Sequence, residues 1–195
     1  MTPSLKVAIA DDEPDLRKVL RHMLGLMNHE VVLEAATGGE LVEGCLRLKP
    51  DLILADIKMP GMDGLDAVKA IYEEQPIPII LVSGHHDPDF IARAQENHVL
   101  GYLIKPVQRE ALEAAIALAK RAFDEFNTLK AETDDLRKAL ADRKIIERAK
   151  GLLMKHLRID EQEAFRRLQK LASTKNQKLV DIANSILMAA EALNG

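Results

Sequence analysis

Residues 50–61 read Pro-Asp-Leu-Ile-Leu-Ala-Asp-Ile-Lys-Met-Pro-Gly, and this stretch indicates the fold of the first part of the chain. The apolar run from Leu52 to Ala55 has the length of a buried strand and is bracketed by proline and glycine. Asp56 follows the run directly, ahead of a turn-forming segment. A carboxylate at the carboxyl end of a buried strand lies where open α/β sheets place their functional residues. An Asp in this position is more often a turn former, so its interpretation depends on the other strand ends.

Strands and helices are predicted to alternate along the first hundred or so residues. The apolar patterns predict strands at 5–10, 31–35, 52–56, 77–82 and 100–104, and helices at 16–27, 40–48, 65–72 and 89–97. Five strands separated by helices predict an α/β fold with a doubly wound parallel sheet and helices on both faces.

Polar residues end the other predicted strands as well. Asp11 and Asp12 follow the first strand, Ser83 ends the fourth, and Lys105 follows the fifth. Because the carboxyl ends of parallel strands share one edge, these side chains should gather around Asp56. Three carboxylates repel one another unless a cation neutralises them, and their oxygens suit Mg²⁺. Such a site can hold a phosphoryl group on one carboxylate, with the metal and an ammonium group balancing its charge.

These motifs together resemble the receiver domain of two-component response regulators, over residues 1–121. The residues that carry the resemblance are Asp11-Asp12, Asp56 with the Ile-Lys-Met-Pro-Gly-Met-Asp-Gly that follows it, Ser83 before Gly84, and Lys105-Pro106. The resemblance implies a five-stranded, flavodoxin-like fold. It also implies that Asp56 accepts a phosphoryl group from a sensor histidine kinase.

The same resemblance implies a role for each residue of the site. Mg²⁺ would be held by Asp12, Asp56 and the backbone carbonyl of Lys58, with Asp11 joining the metal site through water. Ser83 and Lys105 would grip the phosphoryl oxygens. Tyr102 occupies the place of the switch aromatic, which turns inward when Ser83 moves toward the phosphate, and the Lys105–Pro106 bond is expected to be cis. His85 and His86 are expected to be exposed loop residues.

Composition and length describe an ordinary globular protein of 195 residues, with 47% apolar and 30% charged residues. No apolar run is long enough to predict a membrane span, and the N-terminus does not resemble a signal peptide. The single cysteine, Cys45, cannot form an internal disulfide, which is typical of a reducing cytoplasm. We therefore expect a cytoplasmic protein. Beyond the phosphoacceptor site the sequence predicts no cleft chemistry, so we do not expect a metabolic enzyme.

One long helix is predicted after Pro106, because neither proline nor glycine interrupts the chain before Gly151. Mostly apolar and small residues recur along this helix at alternating spacings of three and four, which is the pattern of a heptad seam. The members of the seam are Ala119, Ala122, Phe126, Leu129, Thr133, Leu136, Leu140 and Arg143. Residues 122–142 are therefore expected to form a connecting helix that pairs with a second copy as a coiled coil, or packs on its own chain. Small residues weaken the seam, so a homodimer would be modest or dependent on phosphorylation.

Charge is distributed unevenly along the chain. Residues 1–121 carry 13 Lys and Arg against 19 Asp and Glu, whereas residues 143–195 carry 11 against 6. An acidic first part and a basic tail suggest two functions, the second involving a polyanion.

The basic tail, residues 143–195, is predicted to form a small bundle of three amphipathic helices. Asp160, followed by Glu163, is a helix start of the capping-box kind. Basic residues lie on the faces away from the apolar stripes, where they either form an ordinary solvated surface or bind the polyanion. The candidates are Lys144, Arg148, Lys150, Lys155, Arg166, Arg167 and Lys170.

The last predicted helix favours RNA over DNA as the polyanion. It offers Asp181, Asn184, Ser185 and Glu191 to solvent and has no Lys or Arg after Lys178, which is poor chemistry for reading a major groove. Loops of RNA are recognised by basic surfaces with stacking contacts. The one aromatic residue of the tail, Phe165, is expected to belong to its core.

Three blocks of the tail resemble the ANTAR output domain: Ile145 to Met154, Glu163 to Leu168, and Leu179 to Ala183. The resemblance spans about residues 140–190. It implies binding of RNA hairpins in nascent transcripts and a phosphorylation-controlled transcription antiterminator, with RNA polymerase a partner in the antitermination complex. Two alternatives stay open, namely an output that binds DNA and one that binds a protein partner.

Overall fold

The computed structural model describes residues 3–84 and 99–194. In this part of the chain the strands are β1 (Lys6–Ala10), β2 (Glu30–Ala35), β3 (Leu52–Asp56), β4 (Ile79–Ser83) and β5 (Gly101–Ile104). The helices are α1 (Pro14–Leu26), α2 (Gly38–Leu48), α3 (Gly64–Glu74), α4 (Arg109–Leu157), α5 (Glu161–Lys175) and α6 (Leu179–Asn194). The helix predicted at 89–97 and the loop histidines His85 and His86 lie outside the described residues.

The five strands form one parallel sheet in the order β2-β1-β3-β4-β5. This order confirms the predicted flavodoxin-like fold. Its topological switch point lies between β1 and β3, where an open α/β sheet places its site. Strand β3 is buried along its whole length, as expected for a strand with neighbours on both sides and helices on both faces.

Successive side chains of the sheet pack on opposite faces. One core contains Ile53, Ala55 and Leu81 with residues of α2 and α3. The other contains Leu52 and Leu54 with residues of α1 and the first turns of α4. The sheet is therefore covered on both sides, and its carboxyl edge is left open for polar residues.

The start of α4 corrects the predicted heptad seam. Ala119 is fully buried in the core on the α1 side, so it packs against the sheet and is not available to a coiled coil. Farther along, Phe126, Leu129, Leu136 and Leu140 are all exposed, by 47 to 68%. The exposed part of the predicted seam therefore begins after Ala119.

The chain divides into two compact units, residues 1–127 and 128–195. The first of the three tail helices is not a separate helix, because residues 109–157 form the single continuous helix α4. Ala149 of α4 packs with Leu168 of α5 and with Ile182 and Ala183 of α6 to form the core of the second unit. No helix in the described part is both long and apolar enough to cross a membrane.

Local signals explain the turn between α4 and α5. Arg158 has a left-handed backbone (φ 53°), which ends α4. Asp160 caps α5, since its side chain accepts a hydrogen bond from the amide of Glu163 at 2.8 Å. This is the helix start that the sequence predicts.

Candidate functional site

The predicted strand-end residues meet at the carboxyl edge of the sheet. Carboxylate oxygens of Asp11, Asp12 and Asp56 lie within 4.8 Å of one another. The Lys105 ammonium Nζ is 2.8 Å from Asp11 Oδ2 and 2.8 Å from Asp56 Oδ2. Asp11 and Asp56 are buried, whereas Asp12 is exposed. A buried pair of carboxylates thus shares one cation, with a third carboxylate at the solvent side.

Glu13 also belongs to this cluster, and its role was not predicted from the sequence. Its Oε1 lies 3.2 Å from Lys105 Nζ, and its amide donates to Asp11 Oδ1 at 2.9 Å. Its position directly after the acidic pair is the signal that could have found it. Glu13 therefore holds both Lys105 and the orientation of the Asp11 carboxylate.

A second group that sequence reasoning missed is Arg17 of α1. Its guanidinium donates to the backbone carbonyl of Asp11 at 2.5 Å, and its Nε lies 3.8 Å from Glu34 Oε2. Arg21, one turn farther along, also pairs with Glu34. These contacts fix the backbone that follows β1, since the amide of Asp11 is bonded to Ala35 as well.

The turn from β3 to α3 holds Asp56 from the other side. The amide of Lys58 donates to Asp56 Oδ1 at 3.3 Å, and the amide of Gly64 donates to the carbonyl of Ile57 at 2.8 Å. Gly61 has a left-handed backbone (φ 78°), and Asp63 caps α3 by accepting from the amide of Asp66. The backbone between Asp56 and α3 is therefore closely defined, including the residue Lys58 whose carbonyl is a predicted metal ligand.

Ser83 and Tyr102 lie on the neighbouring strands. Ser83 is buried at the end of β4, and its carbonyl accepts from the amide of Lys105 at 2.9 Å. Tyr102 pairs with Leu81 in the register of β4 and β5, and its half-buried ring packs against the core on the α2 and α3 side. The Lys105–Pro106 bond is cis, as expected.

Burial and ion pairing act against each other in this cluster. Burial raises the pKa of Asp11, and the neighbouring Lys105 opposes the rise. Burial alone would lower the pKa of Lys105, but hydrogen bonds and charge interactions with Asp11 and Asp56 outweigh it and raise the pKa well above the ordinary value. Lys105 is consequently a fixed positive charge beside the two buried carboxylates.

The donor set fits a hard divalent cation. The buried Asp11 Oδ2 pairs with Lys105 Nζ at 2.8 Å and keeps a second lone pair for another partner. An oxygen with an unused lone pair beside two other carboxylates is the chemistry that Mg²⁺ selects. Asp11, Asp12 and Asp56 are therefore suitable Mg²⁺ ligands.

The basic residues of the second unit fall into two groups. On α4, Lys144, Arg148 and Lys155 are exposed. On α5, Arg166, Arg167 and Lys170 are exposed.

Several of these guanidinium groups have acidic neighbours. Glu163 accepts from Arg166 at 3.0 Å and from Arg167 at 3.1 Å. Arg148 lies 3.7 Å from Glu191. The basic surface is thus partly neutralised by its own carboxylates.

Lys150 differs from the other candidates. It is 7% exposed, and its Nζ lies 2.9 Å from Glu147 and 2.7 Å from Glu161. Hydrogen bonds with Glu161 and Glu147 raise its pKa. These contacts join α4 to the start of α5, which argues against the RNA contact predicted for Lys150.

Phe165 also differs from expectation. Its ring lies 5.7 Å from Lys150 Nζ, a cation–π distance. The residue is half-buried and is not part of the apolar cluster formed by Ala149 and Leu168. The prediction that Phe165 is core is therefore wrong, because the ring covers the Lys150 ion pair.

Comparisons with known families match both units of the chain. The response regulator receiver domain matches residues 7–117, and the ANTAR domain matches residues 134–187. The transcriptional regulatory protein PdtaR of Mycobacterium tuberculosis is 36% identical over 182 residues, which cover 93% of this chain and 89% of that protein. The positive alginate biosynthesis regulatory protein of Pseudomonas aeruginosa is 38% identical over 119 residues, which cover 60% of this chain and 48% of that protein.

Solved structures resemble the first unit. The REC domain of AraT, a response regulator from Geobacillus stearothermophilus, is 33% identical with a TM-score of 0.57, and the match covers 64% of this chain and 99% of that one. The response regulator domain of Thermotoga maritima CheB is 28% identical with a TM-score of 0.54, over 60% of this chain and 97% of that one.

Proposed function

Because the chain belongs to the response regulators, with a receiver domain followed by an ANTAR domain, we propose that it is a phosphorylation-controlled transcription antiterminator that binds RNA hairpins. The observation that carries the phosphorylation part of the proposal is the shared cation of the site, with Lys105 Nζ 2.8 Å from both Asp11 and Asp56. The ANTAR match over residues 134–187 supports the RNA-binding part. Its partners are a sensor histidine kinase, hairpin RNA in nascent transcripts, and RNA polymerase in the antitermination complex. Because nascent transcripts and RNA polymerase are cytoplasmic in bacteria, a cytoplasmic location is part of the proposal.

Asp56 is the phosphoacceptor. A carboxylate oxygen of Asp56 attacks the phosphorus of a phosphohistidine on the kinase, the P–N bond breaks, and an acyl phosphate forms on Asp56. The leaving imidazole takes up a proton from solvent. Lys105 then pairs with a phosphoryl oxygen in place of its present partner Asp56 Oδ2, and the Ser83 hydroxyl donates to a second oxygen.

Asp11, Asp12, Asp56 and the carbonyl of Lys58 would hold Mg²⁺. When bound, the metal supplies positive charge that offsets the negative charge of the transferring phosphoryl group. Asp11 orients the site from beneath, since its carboxylate is buried and fixed by the amide of Glu13.

Ser83 and Tyr102 transmit the change. Ser83 lies at the end of β4, so its movement toward a phosphoryl group would alter the space beside β5. Tyr102 is half-buried and is the large side chain of β5 that can fill this space. Two discrete positions of the aromatic ring give the receiver two states between which phosphorylation selects.

The output surface consists of Lys144, Arg148 and Lys155 on α4 and Arg166, Arg167 and Lys170 on α5, all of them exposed. Such a surface neutralises phosphates of an RNA backbone, and the binding should weaken steeply as salt is added. A protein-binding output would not show that dependence.

Residues 122–142 form the connecting helix between a receiver domain at 1–121 and an RNA-binding domain at 143–195. Its exposed residues Phe126, Leu129, Leu136 and Leu140 are the seam of a homodimeric coiled coil. Thr133 interrupts the seam, because its hydroxyl is bonded to the carbonyl of Leu129. We therefore expect weak dimerisation that phosphorylation strengthens.

Binding of a two-hairpin RNA and of a duplex DNA of equal length tests the proposal. The protein is measured untreated and after acetyl phosphate with Mg²⁺, beside an Asp56→Ala variant. We expect the protein to bind the RNA more tightly than the DNA, and to bind the RNA more tightly after phosphorylation. In Asp56→Ala, treatment with acetyl phosphate should not change the RNA affinity. Failure to bind RNA in either state would refute the RNA-binding output and leave the phosphoacceptor site standing, with a protein partner as the next candidate.

A further inference from the structure

Gly151 lies in the interior of α4 without a packing reason. A glycine inside a helix destabilises it relative to alanine, so such a residue calls for an explanation. At some helical glycines the explanation is local: at Gly44, for example, an added Cβ would clash with the side chain of Leu33. At Gly151 a Cβ would meet no atom of the described residues within 4 Å. The fold of this chain therefore does not require glycine at this position.

Three basic residues share the helix surface with Gly151, beside Glu147, whose carboxylate pairs with Lys150. Gly151 is preceded by Lys144 at seven residues and by Arg148 at three residues, and it is followed by Lys155 at four residues. These spacings place all four residues on one face of α4. Ala149, on a different face, is fully buried in the core of the unit. At a rise of 1.5 Å per residue, the line from Lys144 to Lys155 extends over roughly 16 Å.

The charges on this line are largely available. Within residues 3–84 and 99–194, Lys144 and Lys155 form no ion pair, and Arg148 has only the exposed Glu191 at 3.7 Å. The gap in the line of side chains thus lies between cations that can bind another molecule.

We propose that Gly151 is the point where the sugar–phosphate backbone of an RNA approaches α4 most closely. The missing side chain lets the backbone lie against the helix, so that Lys144 and Arg148 on one side and Lys155 on the other reach successive phosphates. The proposed coiled-coil seam ends at Leu140, before this basic stretch. Direct pairing of the stretch with the same stretch of a second copy would bring like charges together, whereas a polyanion is attracted. This inference rests on the proposed RNA-binding function and names the residue that sets the approach distance.

Substitution of Gly151 by alanine separates this role from a structural one. Alanine favours the helix and meets no neighbour, so Gly151→Ala should raise the Tm of the full chain by roughly 2 °C. The added methyl group pushes the RNA backbone away from the cations, so affinity for the two-hairpin RNA should fall roughly tenfold. Gly151→Leu, also a good helix former, should reduce the affinity further.

The matched control is Gly25→Ala in α1. Gly25 is also an exposed helical glycine, and a Cβ there would also meet nothing within 4 Å. This variant should gain stability in the same way and bind RNA as the unsubstituted chain does.

The outcomes separate the close approach of RNA at Gly151 from the proposed RNA binding by the chain. Unchanged RNA affinity in Gly151→Ala would overturn the close approach and leave RNA binding standing. A lower Tm, or a changed self-association in sedimentation equilibrium that accounts for the lost binding, would show that the glycine serves the fold or a contact between copies, and would also overturn it. If the unsubstituted chain does not bind the RNA, both proposals fail.

Discussion

Gly64→Ala should impair the phosphoacceptor site although position 64 carries no functional side chain. A Cβ at Gly64 would lie 1.9 Å from the carbonyl oxygen of Asp56 and 2.9 Å from its carbonyl carbon. Real Cβ contacts are essentially never shorter than 3.0 Å, so the start of α3 and the end of β3 must separate by about 1 Å. Both neighbours are backbone atoms, so rotation of a side chain cannot relieve the clash.

The separation has two measurable consequences. Overpacking of this kind costs about 1–3 kcal/mol, which should appear as a lower free energy of unfolding of the receiver in urea. Displacing a reacting group by about 1 Å can slow a reaction by roughly a hundredfold, so phosphorylation of Asp56 from acetyl phosphate should be slower by about ten- to a hundredfold. Phosphate-affinity electrophoresis at fixed Mg²⁺ concentrations measures this rate directly.

Gly39→Ala is the appropriate control. Gly39 also lies in the first turn of a helix, and a Cβ there would meet no atom within 4 Å. It should leave the phosphorylation rate unchanged, and it should not lower the free energy of unfolding, because alanine favours a helix. Normal stability together with a normal phosphorylation rate in Gly64→Ala would show that the close packing of α3 on Asp56 does not define the site.

Three further predictions concern charged groups. Burial lowers the pKa of His29 in the folded state, against the opposing charge of Glu113, so the unfolded chain binds the proton more readily below pH of about 6.5. The free energy of unfolding should therefore decline as the pH falls through this range, and a urea series should find a smaller decline in His29→Gln. Lys150→Met leaves two glutamates without their shared cation, so it should lower the Tm of the second unit more than Lys155→Met does; equal effects would contradict the role of the ion pair. Glu163→Gln removes the carboxylate that holds two arginines, so RNA affinity should increase, and an unchanged salt dependence of binding would count against those arginines as phosphate contacts.

The arrangement of the site could be predicted because it depends on topology and not on side-chain detail. Once the alternation of strands and helices predicts a parallel sheet, the residues at the carboxyl ends of β1, β3 and β5 must share one edge. Asp11, Asp56 and Lys105 then meet whatever conformations their neighbours adopt. The side-chain contacts of Glu13 with Lys105 and of Arg17 with the carbonyl of Asp11 could not be predicted in this way, because the backbone pattern leaves the direction of a long side chain open.

The same distinction explains the error at Ala119. Heptad spacing continues without change from the part of α4 that covers the sheet into the part that does not, because both need an apolar stripe. The helix stops covering the sheet where the sheet surface beneath it ends. The position of that end depends on the tertiary structure and cannot be read from the heptad spacing. Ala119 is fully buried and Phe126 is 47% exposed, although both satisfy the same repeat.

The turn between α4 and α5 makes Lys150 part of a structural ion pair, although its charge suggested an RNA contact. Lys150 stands two residues from Arg148 and so lies on another side of α4, but its charge alone gives no reason to separate it from the other basic residues of the tail. The reversal of the chain at Arg158 and Asp160 brings Glu161 to within 2.7 Å of its ammonium group, and the ring of Phe165 covers it. A lysine with two carboxylate partners and an aromatic cover gains little from exchanging them for phosphates, because the exchange leaves the carboxylates unpaired. Net positive charge in a helical unit therefore overstates the surface available to RNA, and the cations to count are those, such as Lys144 and Lys155, that remain exposed.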